Sequence, residues 1–222
     1  MTVNGLERYR TLVFDCDGVI LDSNGIKSGA FHEVASRFGP VVADRFLEHH
    51  RRFGGVSRYV KFAHLLEEMV GVPADRATME ELLDEYACSV RRGLRRCEIN
   101  PSLGALRAAT VDARWMVVSG GDQDELREVF AERGLEAMFQ GGIFGSPESK
   151  DVILEREAAG GCLVAPALFI GDSLYDHEAA TNAGLDFVFV EQWTEVPGWE
   201  AEATRLGFDS VARLGDLLGR GP

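Results

Sequence analysis

Four short, predominantly apolar runs punctuate the chain: Thr11–Phe14, Trp115–Val118, Ala167–Ile170 and Phe187–Val190. Apolar residues at consecutive positions, rather than alternate ones, predict strands of a parallel sheet covered on both faces. Between the runs the apolar spacing changes to a helical one. Asp122–Arg133 carries Leu126, Val129 and Phe130 on one face and stops before Gly134, the residue type best suited to end a helix. Lys150–Ala159 and Asp176–Ala183 read the same way. Strand alternating with helix predicts an α/β fold with a doubly wound parallel sheet.

One stretch breaks this rhythm. From about Asn24 to Arg96 there is no strand pattern, only helical ones: Gly29–Phe38, Ala43–Phe53, Arg58–Val70 and Met79–Arg92. Turn signals at Gly39-Pro40, Gly54-Gly55 and Gly71-Val72-Pro73 separate them. The expected organisation is an α/β core made of residues 1–23 and 97–222, with an all-helical domain, 24–96, inserted after the first strand. Pro101 marks the return to the core, and Gly25 and Gly29 would suit a hinge. Gly219–Pro222 is expected to fray.

Composition narrows the picture. The chain has 222 residues, 45% hydrophobic and 27% charged, which is ordinary for a globular protein and unlike a disordered one. No apolar run is long enough to span a bilayer, and Met1–Arg10 is polar, without the apolar stretch of a signal peptide. A cytoplasmic location is the default. The net charge of −13 argues against nucleic acid or an anionic membrane as partner. It would repel an anionic substrate too, unless local positive charge or a metal ion offsets it. Cys16, Cys88, Cys97 and Cys162 form no CxxC pair and no zinc-ligand spacing, so they are expected to be reduced, buried thiols.

The first three runs are each followed by small or acidic residues: Asp15-Cys16-Asp17-Gly18, Ser119-Gly120-Gly121 and Gly171-Asp172-Ser173. Open parallel sheets bind ligands beyond the carboxyl ends of their strands, so these groups could converge. Asp15 and Asp17, two apart in an extended segment, project to the same side. With Asp172 and Asp176 they offer the oxygen ligands that a hard cation such as Mg²⁺ prefers. Ser119, the amides of Gly120 and Gly121, and Lys150 can meet phosphate oxygens. Phosphoryl transfer needs mainly positioning and charge neutralisation, which this set supplies.

Phe14-Asp15-Cys16-Asp17-Gly18-Val19 resembles the first motif of the haloacid dehalogenase superfamily. Ser119, Lys150 and Gly171-Asp172-Ser173-Leu174-Tyr175-Asp176 are similar to its second, third and fourth motifs, in order. The helical insertion matches that superfamily's helical cap. The resemblance covers essentially the whole chain and implies a Mg²⁺-dependent phosphatase acting on a small phosphorylated metabolite, such as a sugar phosphate. Asp15 would attack phosphorus and form an aspartyl phosphate. Asp17 would protonate the leaving oxygen and then activate water. Ser119, Gly120 and Lys150 would hold the phosphoryl oxygens. Asp15, Asp17 through its main-chain carbonyl, and Asp172 would ligate the metal, with Asp176 supporting them. An acid at Asp17 disfavours dehalogenation, since halide leaves without a proton.

In the helical insertion, Gly54-Gly55-Val56-Ser57-Arg58 resembles a cap loop of sugar-phosphate mutases and phosphatases, in which the arginine contacts a distal anionic group. Arg58, Lys61 and Lys27 are therefore candidate substrate contacts. Lys27 departs from the histidine that many relatives carry after Asp-Ser, which weakens transfer of any particular substrate. His49 and His50 read as surface or packing residues. Alternatives are a phosphomutase of the β-phosphoglucomutase type, a phosphonate hydrolase using Lys61 as a Schiff-base lysine, and a non-catalytic binding module, the last disfavoured because all four motifs are complete.

Overall fold

The computed structural model describes residues 5–219, so the fraying expected at the C-terminus falls, apart from Gly219, outside the described residues. In chain order the elements are β1 (Thr11–Phe14), α1 (Asn24–Ala35), α2 (Pro40–Arg52), α3 (Arg58–His64), α4 (Arg76–Leu94), α5 (Leu103–Ala109), β2 (Arg114–Asp122), α6 (Gln123–Glu132), β3 (Ile143–Ser146), α7 (Lys150–Ala159), β4 (Ala167–Gly171), α8 (Leu174–Asn182), β5 (Asp186–Val190), α9 (Trp199–Leu206) and β6 (Asp209–Val211). The six strands form one parallel sheet in the order β3-β2-β1-β4-β5-β6. Strand order reverses between β1 and β4, and in doubly wound sheets the crevice at that reversal, beyond the carboxyl ends, is the ligand site.

Alternate strand residues point to opposite faces. Leu12, Phe14, Trp115, Val117, Leu168 and Ile170 join one buried cluster, while Val13, Met116, Val118 and Phe169 join the other with Ile153, Leu154, Ala179 and Ala180. Burial on both faces is why these strands read as continuous apolar runs.

Two strands were not expected. β3 is a short Ile-Phe-Gly-Ser segment, and β6 has a single buried residue, Val211, so neither carries an apolar run. Strand β2 also extends further than its apolar run, through Ser119-Gly120-Gly121 to Asp122, with a register irregularity against β3 between Val118 and Asp122. Pairing with β3, which the sequence pattern does not display, holds that polar extension in the sheet.

Between β1 and β2 the chain is helical, as expected. Phe31, Phe46, Phe62 and Tyr86 bring α1 to α4 together around an aromatic cluster, with Phe31 and Tyr86 centroids 4.3 Å apart. Leu65–Val70 continues α3 as a π-helical turn. Of the two glycines read as hinge candidates, Gly25 lies in the first turn of α1 and Gly29 in its middle. The cysteines are all free, but only Cys16 is buried; Cys88 is exposed on α4, contrary to expectation.

One seam between the helical layer and the core runs along α6 and its cap. Arg58 pairs with Glu125 at 2.5 Å, the Tyr59 hydroxyl donates to Asp122 at 2.9 Å, and Arg95 reaches Glu128 and Glu132. The exposed Arg95 pairs contribute little energy. The Arg58–Glu125 pair is buried on both sides and forked, the stronger geometry.

Candidate active site

Strand β1 ends at Phe14, and Asp15 follows it; its main-chain N–H donates to Ile170 of β4 at 2.9 Å, which brings it beside the end of that strand. Gly18, at φ +76°, lets the chain turn back at once. A Cβ at Gly18 would run into the Asp172 carboxylate and Asn24, so glycine here also permits the close approach of the two acidic segments. Asp15 is 2% exposed, Asp172 5% and Asp176 0%. One carboxylate oxygen from each lies within 4.8 Å of the others.

These three acids are not equivalent. Asp176 sits at the third position of α8 in a capping box with Ser173. Its Oδ2 accepts from the Asp172 N–H, the Ser173 N–H and the Ser173 hydroxyl, and its Oδ1 accepts from Lys150. Both its oxygens are therefore engaged in holding the β4–α8 turn and Lys150. Asp172 accepts from Asn24 Nδ2 at 2.6 Å. Asp15 Oδ1 is buried and its one close polar neighbour among the described residues is the Lys150 ammonium, an ion-pair partner 3.0 Å away.

Charge crowding shows in the acidities. Burial first, and then Asp176 and Asp17 against the opposing Lys150, push the Asp15 carboxyl up to about 7. Burial, with Asp15 and Asp176 nearby, also raises Asp172 well above the carboxylate range. Burial works to discharge Lys150, but Asp15 and Asp176 overcome it and hold the ammonium charged. Converging buried carboxylate oxygens with a single ammonium among them fit a divalent hard cation. Asp15 and Asp172 have the capacity to hold it; Asp176 is committed to its hydrogen bonds.

Asp17 lines the same cavity but has its own partners. Its carboxylate accepts from Ser23 Oγ at 2.6 Å and pairs with Lys27 Nζ at 2.5 Å. Burial alone would raise its pKa, yet Lys27 and Ser23 hold it below the ordinary range. Its side chain therefore does not join the acidic cluster, and only its main-chain carbonyl remains for the ligand role implied by the resemblance.

Ser119 is fully buried at the start of the β2 extension, its hydroxyl accepting from the Gly121 N–H at 3.1 Å. Gly120 lines the cavity. A Cβ there would collide with the Gly55 carbonyl, so the α2–α3 loop rests directly on the β2 end. Lys150 opens α7 behind the Ser149 cap.

Over these groups the helical layer closes a cavity of about 50 Å³ that Asp15, Asp17, Gly120 and Asp172 line from below. Arg58, Lys61 and Lys27 line it from above. Arg58 is 6% exposed, matched to Glu125, and lies over the Tyr86 ring at 4.7 Å. Lys61 is 2% exposed and bonded to His50 Nδ1 at 2.8 Å. His50, read from sequence as a surface or packing residue, thus belongs to the cavity wall. Asn24, Glu125 and Glu195 were not singled out either. Their partners lie far along the chain, and no local motif marks them.

The family model described as haloacid dehalogenase-like hydrolase matches residues 12–190. Among curated proteins nothing matches. Similar solved structures include a predicted phosphatase from Clostridium acetobutylicum, 21% identical, covering 95% of this chain and 97% of that one with a TM-score of 0.72. A β-phosphoglucomutase from Clostridium difficile is 18% identical, with 94% and 92% covered and a TM-score of 0.71. A phosphonoacetaldehyde hydrolase-like protein from Oleispira antarctica is 14% identical, with 98% and 92% covered and a TM-score of 0.73. At these identities the likeness is one of fold.

Proposed function

The chain belongs to the haloacid dehalogenase-like hydrolase family, and from that premise we propose that it is a magnesium-dependent phosphatase of a small phosphorylated metabolite, working through an aspartyl phosphate on Asp15. The observation that carries this reading is the Asp15 carboxylate at the β1/β4 reversal. It is buried, is paired with the Lys150 ammonium at 3.0 Å, and lies within reach of the Asp172 and Asp176 carboxylates. Residues 24–96 act as the cap domain over a core of 1–23 and 97–222. Likeness to the predicted phosphatase from Clostridium acetobutylicum supports the same reading.

Asp15 and Asp172, with the main-chain carbonyl of Asp17, would hold Mg²⁺, which when bound supplies charge neutralisation for the phosphoryl oxygens. Lys150 and the Ser119–Gly120 segment hold those oxygens. An Asp15 oxygen bonds to phosphorus as the ester P–O bond breaks, and the departing oxygen takes a proton from Asp17. The incoming phosphoryl anion adds negative charge beside Asp17, which favours the protonated form that this step needs. Asp17, left as carboxylate, then takes a proton from water, whose oxygen bonds to phosphorus as the Asp15–phosphorus bond breaks. Lys27 and Ser23 hold Asp17 in the carboxylate form that this second half requires. Asp176 keeps Lys150 and the Asp172 turn in position.

The test is phosphate release from a panel of phosphorylated sugars, sugar acids and p-nitrophenyl phosphate, with Mg²⁺ and with chelator. Release that needs Mg²⁺ and stops on chelation is expected. Release unaffected by chelator would reject the metal role. Isomerisation of a sugar 1-phosphate without net release would favour a phosphomutase.

A further inference from the structure

Four cationic side chains line the cavity: Lys27, Arg51, Arg58 and Lys61. Three have carboxylate partners. Lys27 lies 2.5 Å from Asp17, Arg58 2.5 Å from Glu125 and Arg51 3.6 Å from Glu195. Lys61 has no carboxylate within ion-pair distance among the described residues. Its Nζ is bonded instead to His50 Nδ1 at 2.8 Å, and it lies 5.4 Å from the centre of the Phe31 ring. Burial and neighbouring cations drive His50 well below its ordinary pKa, so it is a neutral acceptor and cannot balance the ammonium. Burial, with Lys27 adding to it, likewise depresses Lys61 to about 7.

A buried ammonium without a counter-ion is costly. It persists where a bound anion completes it, and the cavity it lines also contains Asp15. The unmatched charge amounts to a single positive unit. A second phosphoryl group, with close to two negative charges, would need another free cation, and Lys27 and Arg58 are already matched. A carboxylate carries one negative charge and accepts hydrogen bonds with both oxygens.

We propose that Lys61, positioned by His50, is a subsite for one carboxylate at the end of the substrate remote from phosphorus, so that the preferred substrate is a small phosphomonoester of a carboxylic acid. This rests on the phosphatase reading. Arg58, the residue whose sequence setting suggested the anion contact, lines the same cavity but is already matched by Glu125, through which it joins the helical layer to α6.

The experiment compares matched pairs of phosphomonoesters on the wild-type protein with Mg²⁺, each pair sharing a carbon skeleton and differing only in a terminal carboxylate or its primary amide. The carboxylate member is expected to win by about 30-fold or more in kcat/KM, as for a desolvated charge pair. In Lys61→Met that ratio is expected to collapse to within about threefold, with the loss mainly in KM. The ratio within one variant reports specificity and is not moved by a merely structural role. Should Lys61→Met fail to fold, His50→Leu, which frees the ammonium from its anchor, is expected to reduce the ratio. Equal turnover of both members by the wild type would overturn the subsite while leaving the phosphatase intact. An absence of phosphate release from every ester would reject the phosphatase reading and the subsite with it. Borohydride capture of an aldehyde on Lys61 would also overturn the proposal, since the amine would then be a carbonyl nucleophile.

Discussion

Lys27 and Lys61 line one cavity but differ in how firmly they hold a proton, because one has a carboxylate partner and the other does not. Burial works against both ammonium groups, but Asp17 raises Lys27 while Lys61 falls to about 7. The folded pKa of Lys61 thus lies below that of the unfolded chain, about 10.4. Between these values the unfolded chain binds more protons, so this residue makes stability rise with pH from about 7 towards 10, and below 7 its burial cost is fully present. Lys61→Met should therefore raise Tm at pH 6 to 7, by roughly 1–4 kcal/mol of stability for replacing an unmatched buried charge with an apolar chain, and much less near pH 10. Thermal melts of both proteins across that range check it, and an equal change at both ends would contradict it. At this scale the sequence is legible where chemistry sits at strand and helix ends: Asp15, Ser119, Lys150, Asp172 and Asp176 all stand at such boundaries. His50 and Glu125 were not legible, since each matters through a partner on another element.

At the level of elements, α1 and the β2 extension contain glycines of opposite character. Gly29 lies exposed in α1, and a Cβ there would touch nothing. Gly29→Ala should stabilise by about 0.5–1 kcal/mol, seen as a Tm rise of about 2–4 °C per kcal/mol, with turnover retained. A Tm decrease would show that α1 needs the glycine. Gly120→Ala puts a methyl group into the Gly55 carbonyl. It should hold the α2–α3 loop off the site and lower kcat/KM by about a hundredfold or more, as misplacement of active-site groups does, with a near wild-type circular dichroism spectrum. Unchanged kinetics would show that this loop need not close. The strands that read clearly, β1, β4 and β5, are buried runs. β3 carries only two apolar residues, Ile143 and Phe144, and β6 only Val211, so neither leaves a pattern, and the polar end of β2 is held in the sheet by pairing with β3.

For the whole molecule, the −13 charge and a phosphoryl substrate pull in opposite directions. The structure places Lys27, Lys61, Arg58 and Arg51 in the lining of one cavity, with Lys150 beside Asp15 on its floor, so cations stand against the acids where a phosphoryl group would enter. That clustering was legible only in part: the order of motifs located the floor of the site, whereas its roof depends on how α1 to α4 fold over it. The central claim is the covalent role of Asp15, and trapping tests it most directly. Enzyme mixed with excess substrate and Mg²⁺, then quenched within a turnover and digested, should yield an Asp15-containing peptide carrying one phosphoryl group, absent with chelator and absent in Asp15→Asn. Multiple turnovers with no phosphoryl group on Asp15, or full activity in Asp15→Asn, would contradict the account.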